Sequence, residues 1–300
     1  MAKHFLVLDF GGSAVKCAVM TQAAKIKEQF SISSQAGSYS EWIETFTPHF
    51  QRLNPQYELQ GIAVSTCGAV DVDTGIIHGS SALPYIHDFD VRALYELAFG
   101  LPTELENDAC CAALAESWLG EGKCSKHFCL LVIGSGIGGA IVTDGQVQKG
   151  NQLHGGEFGY SIVDYHESRP VTFGNVASMR ALVESATDSL GLNSSELDGI
   201  EVFEMYDAGH SGIRDIVHHW ARYLATGLYN IQYHVDPEYI VLGGAVSKRA
   251  DLVRLIDTYL DHIHQQLPIS RVRAVPRISQ FGNDANLIGA LRHFLNRQGY

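Results

Sequence analysis

Three short glycine turns, each directly after an apolar run, are the first features of the sequence that could do chemistry. They are Asp9-Phe10-Gly11-Gly12-Ser13, Gly134-Ser135-Gly136-Ile137-Gly138 and Gly243-Gly244-Ala245. Without a Cβ, backbone N–H groups can converge on an anion, which is how a phosphate is cradled. A hairpin also uses glycine for steric reasons, so any one turn alone is compatible with simple chain reversal. Three together are harder to ascribe to chain reversal alone. The Gly-Lys-Ser/Thr ending of a P-loop is absent, and the turns do not match a dinucleotide fingerprint that opens into a helix.

Asn107-Asp108 stands where a short strand ends and a helix begins. Asn and Asp are preferred helix N-caps, so a structural role is open. The functional reading is a carboxylate at the strand's C-terminal end, aimed into a cleft. It would accept the proton of a hydroxyl that attacks a phosphoryl group, with Asn107 hydrogen-bonding the substrate. Both readings can hold together. Asp9 either holds Mg²⁺ through water or ties down its own turn; a carboxylate beside a phosphate loop would repel the nucleotide without a metal. His154-Gly155-Gly156-Glu157-Phe158-Gly159-Tyr160 is a further glycine-flanked polar cluster, readable as an exposed turn or as part of a site. The adjacent pair His218-His219 does not share a helical face, which argues against a metal site there.

The elements that must position these residues follow from periodicity. Residues 4–9, 14–20 and 26–32 read as strands close enough to pair as an antiparallel meander. A helix over 39–53, a strand over 61–65, a helix over 91–99, a strand over 103–106 and an alanine-rich helix over 109–119 follow. The pattern then restarts. Residues 128–133 and 140–142 read as strands around the second glycine turn, and Asp144-Gly145 is a hairpin signal. Leu6-Val-Leu-Asp-Phe-Gly-Gly and Leu131-Val-Ile-Gly-Ser-Gly-Ile share one design, which suggests a duplication. Helices over 214–233 and 250–266, a strand over 239–242, a strand near 273–278 and a final helix over 286–296 complete the reading. No low-complexity linker divides the chain, so a boundary has to fall at a helix, and 109–120 is the candidate.

Composition excludes several classes. At 300 residues the chain makes one large or two ordinary domains and can bury about three quarters of its unfolded surface without disulfides or metal. A net charge of -12 leaves no general basic footprint for nucleic acid or an anionic membrane. No run approaches the roughly 18 apolar residues of a membrane span. The six cysteines show no C-x-x-C spacing, and the chain opens on a strand-like run rather than a signal peptide. A reduced, cytoplasmic protein is expected.

Taken together, Asp9-Phe-Gly-Gly-Ser-Ala-Val-Lys16, Glu106-Asn-Asp-Ala109, Gly134-Ser-Gly-Ile-Gly138, Gly156-Glu-Phe-Gly159 and Leu242-Gly-Gly-Ala245 resemble the ROK family of sugar kinases in order and spacing over essentially the whole chain. The resemblance implies an actin-like, hexokinase-like ATPase fold, with two duplicated ribonuclease-H-like α/β domains around a central cleft. The small N-terminal domain would span 1–115, with a C-terminal helix (286–300) returning to it, and the large one 116–285. ATP, Mg²⁺ and a sugar hydroxyl acceptor are implied, and relatives are commonly homodimers.

Carried over position by position, Asp108 is the implied general base, and Asn107, Glu157, Tyr160 and Gly68 lie on the sugar side. Asp9, Gly11, Gly12, Ser13 and Lys16 belong to the first phosphate motif, with Asp9 meeting Mg²⁺ through water. Gly134, Ser135, Gly136 and Gly138 form the second, and Gly243 and Gly244 the adenosine-side turn. Ser13 and Ser135 stand where Thr is usual, and Cys67 where Pro is common. The family's zinc motif is missing: 166–179 has no cysteine, and Tyr160 replaces its usual His. No zinc is expected. Losing that loop could leave the anomeric side open to an aglycone or second sugar. The wording of Glu106–Gly120, Gly156–Tyr160 and Thr226–Asn230 looks most like the β-glucoside kinase branch, which phosphorylates the 6-hydroxyl of the non-reducing glucose of cellobiose and its relatives. The alternatives are a glucokinase or an N-acetylmannosamine or N-acetylglucosamine kinase. A repressor of the same family would need a helix-turn-helix ahead of the first phosphate loop, where only eight residues precede Asp9. A sugar-binding protein without turnover would not need Asp108 and both phosphate loops.

Overall fold

In the computed structural model, which describes residues 3–193 and 196–300, the first sheet grows from a strand buried on both faces. This is β1 (His4–Phe10), whose run Phe5-Leu-Val-Leu8 suits a covered central strand. It pairs antiparallel with β2 (Ala14–Thr21), and β2 with β3 (Ile26–Ser33), the meander expected from the spacing. On its other side β1 runs parallel to β4 (Leu59–Thr66). Between β3 and β4 lies α1 (Tyr39–Tyr57), which starts on a Ser38 side-chain cap and runs past Leu53 to a left-handed Glu58. A small hairpin, β5 (Ala69–Asp71) with β6 (Ile76–His78), and α2 (Val91–Phe99) come next. Then β7 (Thr103–Asn107) pairs parallel with β4 and passes without a loop into α3 (Asp108–Leu119). The sheet order is β3-β2-β1-β4-β7. Trp42, Phe46 and Leu53 of α1 and Tyr95 of α2 pack on Phe10 and Val64 to form its core.

The second sheet repeats this plan. It contains β8 (His127–Ile133), β9 (Ile137–Thr143) and β10 (Gln146–Val147), antiparallel neighbours, with Asp144 and Gly145 both at positive φ in the hairpin turn. An outlying hairpin, β11 (Ile162–His166) with β12 (Arg169–Thr172), is followed by α4 (Phe173–Ala177), α5 (Met179–Leu190), α6 (Gly199–Asp207) and α7 (Ser211–Val235). Next come β13 (Tyr239–Gly243), parallel to β8, then α8 (Leu252–Gln266) and β14 (Pro276–Ile278), parallel to β13. The order β10-β9-β8-β13-β14 matches the first sheet strand for strand. Two such sheets are the duplicated plan of the actin-like, hexokinase-like ATPases. The elements between Ile162 and Asp207 were not foreseen.

The chain divides into two compact units, Met1–Lys123 with Lys149–His154 and Asp284–Tyr300, and Cys124–Gln148 with Gly155–Asn283. The first crossing follows Lys123, past the boundary expected at 115, so α3 stays whole within the first unit. The last helix, α9 (Ala285–Gln298), belongs to that unit and packs along α3. A Cβ on Gly289 would run into the Cys111 carbonyl, so α9 lies on α3 at backbone contact.

Candidate active site

The junction of β7 and α3 puts Asn107 and Asp108 at the C-terminal end of a sheet strand and the N-terminus of a helix. Asn107 has extended backbone angles and caps the helix, its side chain accepting from the Cys110 N–H at 3.1 Å. Its Nδ2 donates to the Gly68 carbonyl at 3.1 Å, so Asn107 and Gly68 are brought together. One amide hydrogen and one lone pair of the Asn107 side chain stay available beyond these two bonds. Asp108 is the first helical residue, half-buried, with Oδ1 accepting the Ala109 N–H at 2.8 Å. It stands at the N-terminal, positive end of the α3 dipole.

Gly68 needs its left-handed φ of +97°, and a Cβ there would meet Ile77 at 2.7 Å and His87 at 3.1 Å. Next to it, the Ser81 hydroxyl and His87 Nε2 are 2.8 Å apart. Burial pushes the Cys67 thiol up, and the charge of Asp108 adds to this, so Cys67 is a poor nucleophile here. Ser81 and His87 were not singled out from sequence; they sit in a stretch without strong periodicity.

Under the Asn107–Asp108 pair lies Glu106, 3% exposed. It forms an ion pair with Lys149 and accepts the Asn107 N–H at 2.6 Å. Burial pushes its carboxyl up and the Lys149 ammonium pulls it back. His293 of α9 stands 3.9 Å from Glu106 and is held down to about 3 by burial, then by Lys149, Arg297 and Arg92.

Asp9 ends the apolar run of β1 at 5% exposure. Its Oδ1 accepts from Ser65 Oγ at 2.9 Å and from Asn286 Nδ2 at 3.1 Å, and Lys16 Nζ lies 3.6 Å from Oδ2. Lys16 is therefore its cross-strand partner in β2. A carboxylate so enclosed fits a cation only through an intervening water. Gly11, Gly12 and Ser13 form the exposed turn beyond it, where Gly11 N–H donates to the Ala14 carbonyl at 3.0 Å.

In the second unit the turn is Gly134-Ser135-Gly136, because Gly138 is already in β9, opposite Val132. Neither Gly134 nor Gly136 has a left-handed φ. A Cβ on Gly136 would meet nothing within 4 Å, and one on Gly134 only the Gly136 carbonyl at 3.9 Å. Gly12 is similar, with Ala82 at 3.7 Å. Neither backbone conformation nor internal packing requires glycine at these three places; an approaching ligand would. Gly244 differs: its φ is +91° and its Cβ would strike the Ile133 carbonyl, so it locks β13 against β8. Gly243 closes β13 just before it. Beside this turn opens a cavity of about 580 Å³. Its walls include Ile200, Phe203, Val246 and Arg249, whose guanidinium lies 4.5 Å from the Phe203 ring centroid and is held by Asp207 and Asp251.

Glu157 and Tyr160 also belong to the second unit, whereas Asn107, Asp108 and Gly68 belong to the first. The loop carrying Glu157 lies flat on β9, since a Cβ on Gly156 would meet Ala140 Cα at 2.7 Å and one on Gly159 would strike the Ile137 carbonyl. Tyr160 is 75% exposed. Among the described residues no group of three or more His, Cys, Asp or Glu is placed to hold a metal ion, and no helix is long and apolar enough to cross a membrane.

A profile of the ROK family matches residues 5–297. The chain belongs to the ROK family. A β-glucoside kinase of Listeria monocytogenes is 31% identical over 293 residues, covering 97% of each chain. A glucokinase of Halalkalibacterium halodurans is 30% identical, covering 96% of this chain and 93% of its own. Among solved structures, a ROK family protein of Streptococcus pneumoniae in complex with sucrose superimposes with a TM-score of 0.90 at 31% identity, covering 99% of both chains. This ROK chain is thus a sugar kinase. Sequence reasoning gave no role to Glu106, Lys149 and His293 at the β7–α3 junction, or to Ser65 and Asn286 beside Asp9. For Glu106 the alternation Thr-Glu-Leu-Glu-Asn was a visible signal, since two acids on one face of a buried strand must each find a cation.

Proposed function

We propose that this ROK kinase transfers the γ-phosphoryl group of ATP to the 6-hydroxyl of a β-glucoside such as cellobiose. The observation that carries the phosphotransfer is the ionisable Asp108 at the positive end of α3, beside an Asn107 whose side chain is fixed by two hydrogen bonds. Asp108 takes the hydroxyl proton as the phosphoryl bond forms, and Asn107 holds the sugar in register. Backbone N–H groups of the Gly11–Ser13 and Gly134–Gly136 turns receive the phosphates, and the cavity beside Gly244 suits the adenine ring. Catalysis of this kind rests on positioning and on electrostatic stabilisation. Mg²⁺ bound with the nucleotide would neutralise charge on the transferred group, and Asp9 would meet it through its water shell.

The β-glucoside assignment rests on two points. The stretch 166–179 lacks the cysteines of the zinc motif and forms the exposed end of β11, β12 and a short helix. The similarity to the Listeria β-glucoside kinase covers nearly the whole chain. The glucokinase relative keeps a second reading in view, glucose as acceptor, and similarity to N-acetyl-D-glucosamine kinases adds an N-acetyl hexosamine. Phosphorylation of cellobiose, gentiobiose, salicin, glucose, N-acetylmannosamine and N-acetylglucosamine with ATP and Mg²⁺ decides between them. Higher kcat/KM on the β-glucosides is expected; activity on monosaccharides alone would keep the kinase and reject the acceptor class. A cytoplasmic homodimer belongs to the same reading, and light scattering of the purified protein tests the dimer.

A further inference from the structure

We propose that Lys149 is a positioning residue for phosphoryl transfer, acting through its ion pair with Glu106 on the Asn107–Asp108 pair. The proposal rests on Asp108 being the general base. Glu106 precedes the pair and is almost completely enclosed, and a carboxylate in such a place needs a partner. One oxygen serves two donors, the Lys149 ammonium and the Asn107 N–H. The peptide joining Glu106 to Asn107 is therefore oriented by a carboxylate that Lys149 holds in place. From there the chain of contacts is short: Asn107 caps α3 and grips Gly68, and Asp108 follows in sequence.

The surrounding charges leave this task to Lys149. Arg92 and Arg297 pair with Glu104, two residues earlier on the same face of β7. His293 on α9 is kept neutral. The Cys111 thiol of α3 contacts the Glu106 carbonyl, and Asp9 on β1 and Asp108 itself are the neighbouring acids that press on that thiol. Lys149 is thus the cation touching Glu106 among the described residues. It also opens the segment Lys149–His154, which belongs to the first unit although the chain on either side belongs to the second. The ion pair anchors that segment at its first residue.

The signs of the charges make the proposal testable against a merely structural role. Lys149→Met leaves an unbalanced negative charge near Asp108, so the acid limb of kcat/KM for the sugar should move to higher pH. Glu106→Gln leaves an unbalanced positive charge and should move it to lower pH. The double variant, whose glutamine can still accept the Asn107 N–H, should return the limb towards wild type and recover most of kcat. For Lys149→Met we expect kcat to fall by about 10–100-fold, as for misplacement of a reacting group on the ångström scale, with the KM for ATP nearly unchanged. If either single variant does not fold, the other carries the same test, since each has its own direction of shift. Folded single variants with unaltered kcat and acid limbs, or limbs that move together, overturn the proposal. A wild-type protein that phosphorylates no sugar overturns the functional reading instead.

Discussion

At the scale of single residues, the geometry separates glycines that packing or a positive φ requires from glycines that neither requires. Gly136→Ala places a methyl group in open space at an ordinary φ, so stability should be unchanged. If a phosphate approaches that backbone, the same methyl should cost about 1–3 kcal/mol of binding, roughly a 5- to 150-fold rise in KM for ATP. An unchanged KM would remove this turn from the nucleotide site. Asp108→Asn should lower kcat by about 10²–10⁴, the usual share of a general base, with sugar KM far less affected; unaltered turnover would sink its assignment. His293 offers a pH test. Unfolded, it takes a proton near its ordinary 6.5; folded, it resists until about 3. The unfolded state then holds more protons between those values, so this group's share of stability is complete above pH 6.5 and is lost as the pH falls, by about 1.4 kcal/mol per unit. Denaturant titrations at pH 7.5 and 5.5 should show a steeper loss for wild type than for His293→Asn, and equal losses would contradict the buried neutral imidazole. The placement of Asp108 at a strand–helix junction and of the glycine turns after apolar strands was legible because caps and turns need particular residue types. Lys149 was not, because its partner is distant in sequence and a lone lysine ahead of a glycine looks like any surface charge.

At the scale of elements, α9 shows why recognising a helix is easier than placing it. Its apolar periodicity predicts the helix, but the periodicity says nothing of what Gly289 packs against. In the structure it is the point of closest approach to α3, the helix that begins at Asp108. Gly289→Ala should gain up to about 1 kcal/mol from helix propensity. Against this, the new methyl meets a main-chain carbonyl that cannot rotate away, and overpacking costs about 1–3 kcal/mol. The clash should win, so the variant should melt at lower temperature than wild type and lose turnover as α3 shifts; a raised melting temperature would show that α9 can slide. The elements from Ile162 to Asp207 escaped notice for other reasons. β11 exposes both Ile162 and Tyr165, and β12 is only four residues long, so no alternation marks this hairpin. In α6 the capping box of Asp198 with Glu201 was in plain view in the sequence and is present in the structure.

At the scale of the whole molecule, the duplication was legible because each half begins with the same strand, glycine turn and strand. The division of the chain was not, since nothing in the composition of Lys149–His154 distinguishes it from its neighbours. The two halves share a strand order but have diverged in what they carry. The first holds Asn107, Asp108 and the Asp9 turn. The second holds the Gly134–Gly136 turn and the cavity between α6 and the segment after Gly244. On the proposed reading the same plan would carry the acid–base group in one copy and the nucleobase pocket in the other. AMP, which lacks the transferable group, should contact the second copy alone. At about 100 times its dissociation constant it stabilises the state it binds by about 2.7 kcal/mol. Hydrogen exchange should then slow in Gly199–Asp207 and in the 243–249 segment, where Ile200, Phe203 and Val246 line the cavity, while β7 and α3 exchange as before. Protection centred on β7 and α3 would instead place the base on the first copy and reverse the division of roles.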